Sequence, residues 1–254
     1  MEMIVTICVF SLFHPVELQV QPGRSSVIVV EQNGRRQTLE GSGAMKLQGP
    51  ATATGRDGSQ AAFILSIPGK IRREFYGRLE VRFESGHLLA IVEMDRENAV
   101  RSIVAAESPP AAPLEARKAQ AVVARSFLIA AHHRHDGFDF CDTTHCQFLR
   151  EAPAPGSLSA KAVEETRDLI LAYQGSAIPA LYSANCGGKT RTLDEAGWNQ
   201  EAYPYFAIEC PVRGEVFGHR LGMCQEGAAQ MARNGKTFRE ILAHYFPATT
   251  ITIP

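Results

Sequence analysis

The chain is predicted to fold as an α+β protein, with a β-rich N-terminal part over residues 1–94 and a mixed helical and strand region over residues 95–254. Three observations lead to this. Strand-like runs in the first ninety residues are joined by two hairpin signals, Asn33-Gly34 and Ser85-Gly86. From Asp95 onward the apolar residues recur at helical spacing. Proline, glycine and a capping box then cut the second half into short helices and strands.

The elements follow in order. Ile4 to Phe13 is apolar, has no Lys or Arg before it and no small-residue cleavage site after it, so it reads as a first strand and not as a signal peptide. Leu18 and Val20 lie in a second strand. Ser26 to Glu31 and Arg35 to Leu39 flank Asn33-Gly34, whose residues tolerate the positive φ of a tight turn. Ala62 to Ile67 is a strand ended by Pro68-Gly69, and Arg78 to Phe83 pairs with His87 to Val92. Val100, Ile103, Val104 and Glu107 share one face of a helix that Pro109-Pro110 breaks. A second helix opens at Pro113 with the stripe Ala119, Val122, Val123, Phe127 and Ala130. A third is expected over Lys161 to Tyr173 with Gly175 as its stop, then a strand from Ala177 to Ala184. A short helix covers Glu226 to Arg233, Thr237-x-x-Glu240 caps a last helix through Tyr245, and Thr249 to Ile253 closes as a strand.

Composition narrows the function classes. With 254 residues, 45% hydrophobic and 21% charged, the chain is too apolar for general disorder and long enough for one large domain or two small ones. Lys+Arg number 26 against 27 Asp+Glu, a formal net charge of -1, so no strong global field draws it onto nucleic acid or an anionic membrane. No run of about 20 apolar residues offers a transmembrane segment.

Several groups carry candidate chemistry. Glu107 lies on the apolar face of its helix just before the Pro-Pro break, where a partly desolvated carboxyl is suited to general acid work. The bland alternative is a cap for the next helix, or an ion pair with Arg117, Lys118 or Arg125. Glu115, on the stripe of the next helix, is the second candidate. Its alternative is plain stabilisation of a first turn by the helix dipole. His135, Cys141, His145 and Cys146 offer two imidazoles and two thiols, a donor set for tetrahedral zinc. A Cys141–Cys146 disulfide and free buried thiols compete with that reading, and His132 and His133 are read as decoys. Gly187 and Gly188 follow Cys186 after a strand and let backbone approach a ligand closely, unless they form only a turn. Cys186 is also a candidate disulfide partner of Cys210, which would point to an oxidising compartment. Gly218 to Ala228, containing His219 and Gln225, suits a groove floor or a tightly packed helix start, and Cys8 reads as a small buried hydrophobe.

Taken together, PLEARKAQAVVARSF, the AAESPP stretch before it, CDTTHCQ, YSANCGGKT and GHRLGMCQEGAAQMARNG, in this order and followed by ILAHYFPAT, resemble the motifs of the sporulation stage II protein D family (SpoIID/LytB). The resemblance runs from about Tyr76 to the C-terminus. It implies a catalytic region around a substrate groove, a place in the cell envelope, and peptidoglycan glycan strands as partner. The implied activity is lytic transglycosylation, with regulation of a cell-wall amidase as the alternative. It places the essential Glu at Glu107, with Glu115 second. It makes His135, Cys141, His145 and Cys146 a zinc site of structural character, since four protein ligands leave no open position. Gln120, Arg125, Gln147, Tyr182, Ser183, Gly187, Gly188, His219 and Gln225 become the candidates for holding sugar. Cys224 stands where the family usually has Ser, Arg220 where it has Gly and Ser108 where it has Met, and the chain between the CGG and GHR motifs is shorter. A zinc hydrolase built on the His/Cys cluster is the remaining reading, and would need an open coordination position.

Overall fold

The computed structural model describes residues 3–254, which divide into two compact units. One holds the chain up to Ile103 together with His133–Ala152, and the other holds Val104–His132 and Pro153–Pro254. Both helices and an extended sheet are present, so the fold is α+β.

The strands of the first unit are β1 (Ile4–Val9), β2 (Leu18–Pro22), β3 (Val27–Gln32), β4 (Arg35–Glu40), β5 (Met45–Leu47), β6 (Ala51–Thr54), β7 (Ala61–Ile67), β8 (Ile71–Glu84) and β9 (His87–Asp95). β10 (Phe140–Cys141) joins them from the later segment. They run in the order β10-β1-β9-β8-β6-β3-β4, with β7 pairing β8 and β2, and β2 pairing β5. Among the described strands of this unit only β1 and β10 pair in parallel, Ile7 opposite Phe140 and Cys8 opposite Cys141. Alternation along β7 sends Ala61, Phe63, Leu65 and Ile67 inward, the period-two signature of a half-buried strand. Phe10, Leu18, Ile28, Leu47 and Phe63 are fully enclosed in this core. The two hairpins fall at Asn33-Gly34 and Ser85-Gly86, all four residues at positive φ.

The second unit is built on α2 (Leu114–Ala130), which follows α1 (Arg96–Glu107). Around it lie α3 (Leu158–Glu165), β11 (Ile170–Tyr173), β12 (Ser176–Ala177), β13 (Tyr182–Ser183), α4 (Leu193–Ala196), β14 (Met223–Cys224), α5 (Gln225–Arg233), α6 (Phe238–Tyr245) and β15 (Thr250–Thr252). α2 is buried on nearly every side and packs on α3, α5, α6 and β11. Its small residues, Ala116, Ala119, Ala121 and Ala124, permit that close approach without side-chain entropy cost. Tyr203, Tyr205, Tyr245, Phe246 and Leu171 fill the space between these elements.

Four expectations are corrected. The first strand stops at Val9, and Ser11–Phe13 forms one 3-10 turn between Phe10 and His14, both at positive φ. The third helix ends at Glu165, not Tyr173. Thr166 turns its hydroxyl back onto the Ala162 carbonyl at 2.8 Å, Asp168 takes φ 61°, and Ile170–Tyr173 goes into a strand between β12 and β15. Gly175 is therefore half of the Gln174-Gly175 hairpin turn and not a helix stop. The expected strand over Ala177 to Ala184 survives only as its ends, β12 and β13. β5, β6 and α4 were not anticipated, although Thr192-x-x-Glu195 is a capping box of the same form as Thr237-x-x-Glu240.

Candidate functional site

Glu107 is the last residue of α1, and the chain turns sharply after it. The Ser108 amide still bonds the Val104 carbonyl at 3.2 Å, but the Pro109-Pro110 pair cannot continue the helix, and the loop is held by one guanidinium. Arg117 donates to the carbonyls of Pro109 (3.2 Å), Pro110 (3.0 Å) and Ala112 (3.1 Å) and to the Ser159 hydroxyl (2.8 Å). Gln225, the first residue of α5, donates its amide to the Glu107 carbonyl at 2.8 Å and to the Gln120 side-chain oxygen at 3.3 Å. The Glu107 side chain is half-buried and hydrogen-bonded to the Tyr182 phenol. Burial first, and the Glu107 charge second, raise the Tyr182 pKa well above its ordinary value, so the phenol keeps its proton. Two buried polar atoms in this neighbourhood, the Ser108 hydroxyl oxygen and Gln120 Nε2, make no hydrogen bond to protein.

Tyr182 is delivered by β13, which pairs in parallel with β14, Tyr182 opposite Met223 and Ser183 opposite Cys224. The same two-strand ribbon therefore presents Tyr182 and, one residue beyond its partner strand, Gln225. His219 joins them. Its Nδ1 accepts from the Leu221 amide at 3.0 Å, which leaves the ring proton on Nε2, within reach of the Tyr182 backbone. Burial lowers its pKa, favouring the neutral ring. Trp198 lies with its ring centroid 5.3 Å from that of His219 and is 47% exposed. Its signal in the sequence was its being the chain's single tryptophan, which alone named no role. Asn185 and Glu226, joined at 2.7 Å, were also missed; Asn185 Oδ1 fixes the Gly187 amide at 2.9 Å.

Other candidates are placed differently. Glu115 accepts from Lys118 at 2.6 Å and from the Phe238 amide at 2.8 Å, so its carboxylate braces α2 and caps the first turn of α6. Lys118 also reaches Glu165 at 2.6 Å. Arg125 is fully enclosed and donates to the Leu169 carbonyl at 2.9 Å. Ser183 is buried in β13, and Gly188 is buried with its carbonyl accepting from the Cys210 amide and from Arg213. Gln147 is buried in the β unit, whereas Glu107, Gln120, Tyr182, His219 and Gln225 share the other.

The His/Cys cluster gathers in the β unit. Cys141 ends β10, and a turn closed by the Cys146 amide on the Thr143 carbonyl (3.0 Å) swings His145 and Cys146 back toward it. His135 Nε2 lies 3.3 Å from Cys146 Sγ, and His145 Nδ1 lies 3.8 Å from Cys141 Sγ and 3.5 Å from Cys146 Sγ. Tetrahedral zinc with bonds of roughly 2.3 Å to sulfur and 2.0 Å to nitrogen separates neighbouring N and S donors by about 3.5 Å. These three N–S spacings suit such an ion, and the adjacent pair His145-Cys146 comes from a turn. The Cys146 thiol, with Thr143 and His145, holds the Cys141 thiol below its ordinary pKa, and the same pairing raises that of Cys146. All six cysteines are unpaired, so neither a Cys141–Cys146 nor a Cys186–Cys210 disulfide is present.

These features define an α+β protein with a glutamate–tyrosine pair at a helix break and a separate four-donor metal constellation. Residues 84–173 match the family model described as stage II sporulation protein (SpoIID). It is 31% identical over 146 residues to an uncharacterized protein of Brachyspira hyodysenteriae, covering 56% of this chain and 37% of that protein. It is 32% identical over 127 residues to the amidase enhancer of Bacillus subtilis, covering 50% of this chain and 17% of that protein. The matched regions span well under half the length of either relative. Among the described residues no helix is long and apolar enough to cross a membrane.

Proposed function

We propose that this protein is a lytic transglycosylase that cleaves the bond between N-acetylmuramic acid and N-acetylglucosamine in the cell envelope, with Glu107 as its single acid and base. The observation that supports this best is the partner of Glu107. A carboxyl that first gives and then takes a proton needs a neighbour that tolerates both of its states. A phenol does, because its oxygen both donates and accepts, whereas an ammonium or guanidinium would trap the carboxylate.

In this mechanism protonated Glu107 gives its proton to the glycosidic oxygen as the C1–O bond breaks with oxocarbenium character. The resulting carboxylate takes the proton of the muramyl C6 hydroxyl, whose oxygen bonds to C1 and closes a 1,6-anhydro ring. No water enters and no second carboxylate is needed, unlike hydrolysis by paired acids. The attack is intramolecular and gains from proximity. Tyr182 orients the carboxyl, Gln225 fixes the end of α1 with its amide protons, and the unpartnered Gln120 Nε2 is the amide left for a sugar hydroxyl. Half-buried His219 and Gly187 are the candidates for sugar contacts beyond β13, and the exposed Trp198 ring offers a flat face to a pyranose.

We assign zinc to His135, Cys141, His145 and Cys146. With four protein donors the ion would serve as a cross-link for the turn after β10 and supply no chemistry to the glycan.

The test is Glu107→Gln on purified glycan strands, with products read by mass spectrometry. Wild type should release anhydromuramyl ends, one water lighter than hydrolytic ends, and the variant none while its circular dichroism stays unchanged. A folded Glu107→Gln variant with wild-type turnover overturns the assignment. The likeness to an amidase enhancer supports a second reading, a glycan-binding module that activates an amidase. Products that arise only when the amidase is added would favour it.

A further inference from the structure

Cys186, Cys210 and Cys224 come from three separate segments: the turn after β13, the loop before His219, and the start of α5. Their sulfur atoms nevertheless all lie within 4.8 Å of one another. The three side chains are 0%, 4% and 0% exposed. Nothing in the glycan chemistry uses them. One disulfide would consume two of the three and leave the last over.

Backbone amides converge on the three sulfurs, and Cys224 Sγ also lies 3.7 Å from the Ala184 carbonyl. Each sulfur has a backbone amide aimed at it: Gly188 at Cys186, Val212 at Cys210, and both Gly227 and Cys186 at Cys224, the last two at 3.4 Å. The Tyr245 hydroxyl sits 3.1 Å from Cys210 Sγ. Amides converging on thiolates are the outer support that fixes ligand orientation around a metal. The loops are stitched independently of sulfur, since the Cys210 amide donates to the Gly188 carbonyl at 2.9 Å and Arg213 bridges the Gly188 and Cys210 carbonyls. A Cβ at Gly227 would collide with Cys210 Sγ and the Tyr245 hydroxyl, so glycine there keeps the triad open. Three thiolates in a plane around an ion at roughly 2.3 Å stand about 4.0 Å apart, within the spacing seen.

We infer that Cys186, Cys210 and Cys224 form a second metal site, a three-thiolate cradle for a thiophilic d10 cation of the Zn(II) or Cu(I) class, separate from the His135–Cys146 cluster. Soft donors select these ions; Cu(I) accepts three thiolates in a plane, whereas Zn(II) would take a fourth donor besides them. The ion cross-links the segments that carry Tyr182 and Gln225, so it acts as a brace for the ribbon bearing them.

The experiment uses the full chain, reduced, stripped of metal and reloaded with Zn2+ or, without air, Cu+. Ions per chain are counted by native mass spectrometry. Cys224→Ser keeps an oxygen to cap α5 and is expected to fold; it should bind one ion fewer than wild type and melt at lower temperature when metal is present. The Cys141→Ser/Cys146→Ser variant should retain one ion, whose X-ray absorption shows only sulfur neighbours. Equal occupancy in wild type and Cys224→Ser overturns the proposal. So does a nitrogen or oxygen shell in the double variant, or a disulfide among the three cysteines in wild type as purified. Should the double variant not fold, the wild-type and Cys224→Ser comparison decides alone. None of these readouts depends on glycan cleavage.

Discussion

The phenol of Tyr182 keeps its proton because burial and the Glu107 charge both oppose ionisation. Removing that hydroxyl leaves the carboxyl without its charged hydrogen bond, an interaction typically worth about 1.5–3 kcal/mol. Tyr182→Phe is therefore expected to slow glycan cleavage roughly 10- to 150-fold, with little change in melting temperature. Steady-state rates on purified strands check this, and an unaffected rate would remove Tyr182 from the site. Cys8 makes a second prediction of the same grain. Burial, then the nearby Asp142 charge, pushes its thiol up to about 12. The unfolded thiol ionises first, near pH 8.5, so stability is fully present below that pH and is lost as pH rises toward 12. Urea unfolding at pH 8 and pH 10.5 should show wild type losing about 2.5 kcal/mol more than Cys8→Ala over that interval. Equal losses would refute the linkage.

Helix ends, more than helix interiors, position the candidate site. Arg117 satisfies three loop carbonyls and a hydroxyl where α1 gives way to α2, with one side chain that is almost wholly buried. Arg117→Ala strands those acceptors, and a loss of about 3 kcal/mol or more is expected in denaturant unfolding. Glu115 is the contrasting case, because it caps α6 from outside that helix and pairs with Lys118. Glu115→Ala should cost roughly 1 kcal/mol and leave the product distribution unchanged. A collapse of activity at preserved stability would instead move catalysis from Glu107 to Glu115. Ser126 plays a comparable part, bonding the Leu171 amide at 2.8 Å and so tying β11 to α2.

Across the chain, each unit has its own core and its own cluster of metal donors. The segment 133–152 contains little regular structure beyond β10, and Asp139 and Asp142 fasten it to β1 and the residues after it by hydrogen bonds to Thr6, Phe10 and Ser11. A zinc ion on His135, Cys141, His145 and Cys146 would supply the cross-link that a core does not provide there. Chelation of zinc-loaded protein should therefore expose this segment to protease first, with cuts mapped by mass spectrometry between residues 133 and 152. Cleavage that is indifferent to chelator would argue against a bound ion.

Local chemistry made much of this molecule legible in advance. Asn33-Gly34 and Ser85-Gly86 specified their hairpins because positive φ is a property of the turn residues themselves. Pro109-Pro110 ended α1 at Glu107, and Thr237-x-x-Glu240 started α6, through bonds spanning only a few residues. His135, Cys141, His145 and Cys146 were readable because they lie within one short segment. Ile170–Tyr173 was not, because four apolar residues suit a helix or a strand equally, and the neighbours that chose the strand lie more than seventy residues away in β15. The partners of Glu107, the cap that Glu115 provides for α6, and the meeting of Cys186 with Cys210 and Cys224 belong to the same kind. Periodicity along a chain encodes which face is buried. Which distant residue waits on that face is settled only when α2 gathers β11, α5 and α6 around itself.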